Sequence, residues 1–220
     1  AIAALVTSAL AAWIATLGLG DEHQYRFTTE MAATSLVFWA ALSGPLFGIA
    51  AFWFRRITQR ARSKVRSNWQ MPVFSLVAFA ALGALSMWFP QLPGNGKGPI
   101  QLTLAGDVTL KLAAAILCLK IFVIWAVLRG GAEGGLLTPG LAVGALLGSL
   151  LFMLLGRFFP GSDMASFALT GAAGFLSASM QMPVTAIALM MEFTRMDHSF
   201  LVPVTLSAAG AYMTFRKLEG

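Results

Sequence analysis

Charge is what this chain has least of. Of its 220 residues, 11% are Asp, Glu, Lys or Arg against 58% apolar, and mean hydropathy is +0.77. Soluble domains carry about one quarter charged residues, so the composition reads as a multi-pass integral protein of the cell membrane. No polar stretch reaches domain length, so no separate soluble domain is expected. Cysteine is nearly absent: Cys118 stands alone in an apolar run, which excludes a disulfide framework and a cysteine metal site. There are two histidines, His23 and His198, in polar connections far apart, with no partner at ligand spacing, so no metal site is expected. No Ser/His/Asp, Cys/His or paired-carboxylate arrangement offers catalytic chemistry, and the chain reads as a non-enzyme without cofactor. Gly94-Asn95-Gly96-Lys97-Gly98-Pro99 is no phosphate loop, because neither Ser nor Thr follows Gly-Lys and no strand precedes it.

What is present is a series of apolar segments. A hydrocarbon core of about 30 Å needs about 20 helical residues. Residues 1–17 lack a charged n-region and a cleavage site and read as a span rather than a signal peptide. Residues 34–54, 71–89, 112–128 and 136–159 are further segments; the second contains Pro45, where a kink is expected. Residues 100–105 are too short to span. After Pro160-Gly161, residues 164–180 and 184–191 flank Pro183, which suits the first position of a short helix. Eight residues rise only about 12 Å, so this pair reads as two partial helices meeting inside the protein. Residues 200–215 close the series. Unequal, Gly- and Pro-broken helices describe a transporter or channel rather than a plain bundle. Gly140, Gly144 and Gly148, spaced by four, form a smooth stripe for close helix packing and are read as structural.

The charge that exists is unevenly placed. Arg55, Arg56, Arg60, Arg62, Lys64 and Arg66 hold six of the fifteen basic residues, with no acid among them. Between apolar spans this reads as a basic cytoplasmic loop over about 55–70, in contact with anionic lipid headgroups, rather than as a nucleic-acid site.

The chemically most specific stretch is Gly134-Gly135-Leu136-Leu137-Thr138-Pro139, opening an apolar helix. The first N–H groups of a helix have no intrahelical partner, and the aligned dipoles add about half a positive charge there. Glycines 134 and 135 let an anion approach the backbone, Leu136 and Leu137 offer amides, and Pro139 fits the first turn. No fixed cation need touch the ion, which suits conduction. Lys120, at mid-span, has two readings: a fixed charge that raises the potential for anions, or a snorkelling or acid-paired side chain. Glu133 is read as a cap for the local amides, with a gate or proton acceptor as the alternative. Glu192, closing the short helix after Pro183, is read as a buried structural pairing, with a transport role as the alternative.

These residues carry a resemblance. Gly131-Ala132-Glu133-Gly134-Gly135-Leu136-Leu137-Thr138-Pro139-Gly140-Leu141-Ala142-Val143-Gly144 resembles the GxxGGxFxPxLxxG signature of the CLC chloride channel and transporter family. Residues 171–186 are similar to that family's GxxAxLAAxxxxPLT segment, Glu192-Phe193-Thr194 to its E-M/F-T, and Leu201-Val202-Pro203 to its following Leu-Pro. Lys120 falls where the family usually has a basic residue. Leu137 replaces the usual Phe, and Glu133 stands where many members have Pro, Gly or Ser. The family's GSGIP-like motif, its G(K/R)EGP motif with the gating glutamate, and its late tyrosine have no counterpart in this sequence.

The resemblance implies an all-α membrane protein, a CLC-type bundle of tilted, broken and re-entrant helices forming the second inverted-repeat half of a subunit. It implies chloride as the transported ligand, held by the Leu136 and Leu137 amides, in a channel or a proton-coupled antiporter. It also implies a homodimer through residues 1–17, 184–191 and 200–215, and a need for the N-terminal half to complete the pathway. The alternatives are a broken-helix transporter for fluoride or another anion, and a non-transporting membrane scaffold.

Overall fold

The computed structural model describes residues 2–19, 24–27, 29, 31–63 and 70–220. Those residues form nine α-helices and no strand: α1 (Ile2–Leu19), α2 (Thr34–Ser63), α3 (Gln70–Ser86), α4 (Lys97–Leu104), α5 (Leu110–Arg129), α6 (Leu137–Leu155), α7 (Met164–Met180), α8 (Pro183–Thr194) and α9 (Leu201–Glu219). The expected all-α class holds. Three helices, Thr34–Ser63, Leu110–Arg129 and the α6 run Leu137–Phe158, are long and apolar enough to cross a membrane.

The centre of the bundle is α7, whose residues 165–179 are all buried. A helix apolar or small on every side has no solvent face and must be enclosed. It is enclosed by α6, α9 and α2, and the approach is backbone to backbone. An ideal Cβ on Gly144 would lie 2.5 Å from the Gly171 carbonyl oxygen, and one on Gly148 would strike the Phe167 carbonyl. The Gly140/Gly144/Gly148 stripe is thus the α6–α7 contact. Gly44 and Gly48 play the same part between α2 and α9, facing Gly210 and Ala211. Serine hydroxyls tie the same helices together: Ser177 donates to the Ala208 carbonyl at 2.8 Å and Ser207 to the Thr170 carbonyl at 2.9 Å. Trp39 of α2 stacks on Phe167 at 4.2 Å. In an apolar surround, where burial gives helices no reason to associate, such packing and interhelical bonds hold the bundle.

Two expectations change. Residues 55–63 of the expected basic loop are the last turns of α2, because Arg, Gln and Ala are good helix formers and charge does not end a helix; residues 64–69, with Lys64 and Arg66, lie outside the described residues. The short helix after Pro183 has twelve residues rather than eight, about 18 Å, still too short to span. Pro183 stands in its first turn as expected, and Gln181, at φ 59, makes the break from α7.

Candidate anion site

The site is built where α5 hands over to α6. α5 stops by a Schellman motif: Gly131 adopts φ 85, its N–H donates to the Leu128 carbonyl at 3.1 Å, and Ala132 N–H donates to Val127 at 3.2 Å. The Ser75 hydroxyl of α3 donates to the Gly130 carbonyl at 2.5 Å. Residues 132–136 then run without regular structure into α6.

The start of α6 is uncapped. Leu136 is the N-cap residue with no side-chain hydrogen bond, and the first intrahelical bond runs from Gly140 N–H to the Leu136 carbonyl at 2.8 Å. The N–H groups of Gly135, Leu136, Leu137 and Thr138 have no acceptor among the described residues. Glu133, read from sequence as the cap, is exposed and makes no hydrogen bond to them. Gly134 and Gly135 have nothing within 4 Å of an ideal Cβ, and neither lies in the left-handed region. Neither packing nor backbone conformation within the described residues therefore demands glycine there, unlike Gly131.

A cavity of about 270 Å³ opens beside this turn, lined by Lys120, Glu133, Gly134, Gly135, Leu136 and Pro139 together with apolar side chains of α3 and α5. Six of the eight candidate residues thus meet around one space. Leu137 and Thr138 do not line it; Leu137 packs half-buried against the main core, and the Thr138 carbonyl sits 3.2 Å from where a Cβ on Gly96 would stand.

Lys120 is 2% exposed, and among the described residues its partners are not acids. Its ammonium donates to the carbonyls of Leu92 and Gly94 at 2.8 and 2.9 Å, two groups freed by the Pro- and Gly-rich break before α4. The charge therefore pins that connection to α5 and leaves a buried cation on the cavity wall. Neither sequence reading foresaw this pinning of the connection.

One participant was missed. Arg62, in the last turn of α2, donates from Nη2 to the Gly134 carbonyl at 2.8 Å. Its only sequence signal was membership of the basic cluster, and nothing in a separation of 72 residues reveals the contact. Arg62 lines two further cavities: one of about 480 Å³ with Glu133 and Gly134, and one of about 160 Å³ with Arg55, Thr58, Leu136 and Ser179.

The other candidates lie apart from this site. Glu192 is exposed on α8 without a hydrogen bond or ion pair among the described residues, so the expected buried pairing is absent: at that position the helix turns its side chain outward. His198 is exposed in the short 3₁₀ turn His198–Phe200 before α9, and His23 lies outside the described residues.

Comparison with known proteins gives this geometry a family. The family described as voltage gated chloride channel matches residues 1–216. The H(+)/Cl(-) exchange transporter ClcA of Cronobacter sakazakii is 28% identical over 179 residues, covering 80% of this chain and 38% of that protein. The voltage-gated ClC-type chloride channel ClcB of Citrobacter koseri is 30% identical over 202 residues, covering 88% and 46%. A crystal structure of a slow cyanobacterial Cl-/H+ antiporter shares the fold at TM-score 0.80 and 18% identity, covering 90% of this chain and 47% of that one. The chain spans less than half the length of these relatives. A multi-pass integral membrane protein by composition, helix lengths and kinship, the chain belongs to the voltage-gated chloride channel family, the CLC family.

Proposed function

We propose that this chain supplies one side of a transmembrane chloride pathway, holding the ion on the backbone amides that open α6, chiefly those of Leu136 and Leu137. The observation that carries the reading is the run of N–H groups from Gly135 to Thr138 that have no acceptor among the described residues, beside two glycines whose Cβ positions are empty among the same residues. Four donors and the positive end of a 19-residue helix, in a partly apolar surround, attract a small anion without binding it too tightly to release. The buried Lys120 ammonium on the cavity wall adds positive potential, and Glu133 at the mouth opposes it. Relatives named as an exchanger and as a channel both support chloride as the ion. No step requires a cofactor or bond-making chemistry, so the role is transport rather than catalysis.

On this reading a preceding half supplies the other wall of the pathway and the gating glutamate. The functional unit is a homodimer through residues 1–17, 184–191 and 200–215. Val184, Val202 and Met213 on α8 and α9 are exposed at 77%, 56% and 69%, which supports an apolar partner there, whether a second copy or lipid.

The test is chloride binding and liposome flux by the full-length protein and its Gly134→Val and Gly135→Val variants. Both side chains enter space that is empty among the described residues, so a loss reports on the ion's approach rather than on folding. Affinity is expected to fall tenfold or more, about 1.4 kcal/mol, with thermal stability unchanged. Unchanged binding and flux would sink the proposal. Competition by fluoride against chloride separates a fluoride transporter, and absence of anion binding to the wild type favours a scaffold.

A further inference from the structure

We infer that Arg62 is a positioning residue that aims the Gly135 amide into the ion cavity by holding the carbonyl of the preceding residue; the inference rests on the chloride reading above. The peptide unit joining Gly134 to Gly135 is planar and trans, so its C=O and N–H point in opposite directions. Arg62 Nη2 holds the oxygen at 2.8 Å. The cavities divide accordingly. Arg62 lines the 480 and 160 Å³ spaces but not the 270 Å³ one, whereas Gly135 lines the 270 Å³ space and neither of the others. The carbonyl is drawn to the arginine side of the loop, and the N–H is left for the side that holds the Lys120 ammonium.

A loop with two adjacent glycines needs such a restraint. Gly134 and Gly135 have no side chain to anchor them, and among the described residues nothing packs within 4 Å of their Cβ positions. Free rotation would let this peptide flip and present its carbonyl, a negative end, to the anion. The arginine stands on a firm base: Ala61 beside it is buried, the Thr58 hydroxyl bonds the Phe54 carbonyl at 3.0 Å, and Phe54 packs edge-on against Phe175 of α7 at 5.3 Å. Guanidinium suits the task because it presents its donors in a fixed plane. Glu133 shares the 480 Å³ cavity without pairing with Arg62, so the donor stays committed to the carbonyl.

The experiment measures chloride affinity of the full-length protein in detergent by calorimetry, for the wild type, Arg62→Ala, Arg62→Lys and Arg60→Ala, with thermal stability followed in parallel. Arg62→Ala is expected to weaken chloride about three- to tenfold, the scale of one hydrogen bond, with a melting temperature within a few degrees of wild type. Arg60→Ala removes the same charge from the same exposed helix end but no bond to the loop, and is expected to stay within about twofold because distant exposed charges are screened. Arg62→Lys, with its single-point ammonium, falls between. In glycine-¹⁵N spectra the Gly135 amide resonance shifts in Arg62→Ala before any chloride is added. Equal losses in Arg60→Ala and Arg62→Ala would reduce Arg62 to general electrostatics, and unchanged affinity in Arg62→Ala would overturn the inference while leaving the chloride reading intact. Failure of the wild type to bind chloride would remove the reading itself, and the inference with it.

Discussion

Substituting alanine along the α6 glycine stripe should produce opposite signs at its two ends. At Gly140 the added methyl would meet Ser179 Oγ at 3.5 Å and Leu176 Cδ1 at 3.8 Å, ordinary contacts with side chains that can move. Alanine also forms helix better than glycine by about 1 kcal/mol. Gly140→Ala should therefore be neutral or stabilising by up to that amount. At Gly148 the methyl would run into the carbonyl of Phe167, with that residue's carbonyl carbon at 2.8 Å and Ala168 Cα at 3.0 Å. These are backbone atoms of the most enclosed helix in the molecule, so relief requires α6 and α7 to part along their length. Overpacking of this kind costs about 1–3 kcal/mol, and more where the obstacle is main chain. Set against the propensity gain, Gly148→Ala should be destabilising by about 1–2 kcal/mol.

The informative quantity is the difference, because both variants share the same propensity term. It is about 2 kcal/mol, or roughly 4–8 °C in melting temperature for a unit of 150–250 residues. Gly144→Ala, whose methyl would sit 2.5 Å from the Gly171 carbonyl oxygen and 2.7 Å from Phe175 Cβ, should behave like Gly148→Ala. Thermal unfolding of the detergent-solubilised protein, read by tryptophan fluorescence, measures all three. Equal melting temperatures for Gly140→Ala and Gly148→Ala would refute the claim that helix contact, rather than glycine content, sets the cost.

Two further outcomes follow from the same packing. Lys120→Met should lower stability by about 2–5 kcal/mol, since it leaves the Leu92 and Gly94 carbonyls without their donor, and a stability equal to wild type in thermal melts would show those bonds to be idle. Gly174→Ala should be destabilising because its methyl would strike Ser207 Oγ, while Ser207→Ala, losing one bond to the Thr170 carbonyl, should cost about 0.6 kcal/mol; the double variant should be more stable than the sum of the two, and strict additivity in the cycle would contradict the contact.

The helical plan was legible because it depends on local properties: hydropathy runs, the Pro183 start and the Gly/Pro break before α4 all register along the chain. The basic segment was misjudged for a reason of the same kind. Charge signals where a chain leaves the apolar core but not where its helix stops, and residues such as Arg55 to Arg62 propagate a helix well. Glu192 was misjudged because the sense in which a side chain points from a twelve-residue helix depends on neighbours that sequence does not name.

The candidate anion site divides along the same line. Its donors were legible, since unpaired amides at a helix start follow from the backbone alone and two glycines advertise them. The side-chain contacts to the loop that carries them were not. Glu133, adjacent in sequence, looked like the cap and forms no bond among the described residues, whereas Arg62, 72 residues away, holds the loop by its carbonyl. Lys120 repeats the pattern, its charge spent on carbonyls 26 and 28 residues earlier rather than on an acid nearby. In both cases a cation is satisfied by main-chain oxygen, an acceptor that every residue carries and that therefore leaves no mark in sequence. Arg62 bonds the loop that enters α6, and Lys120 bonds the connection before α4. If the proposed site is made of backbone, it is tuned through groups that fix that backbone, and the first side chain to vary is the partner of the Gly134 carbonyl, Arg62.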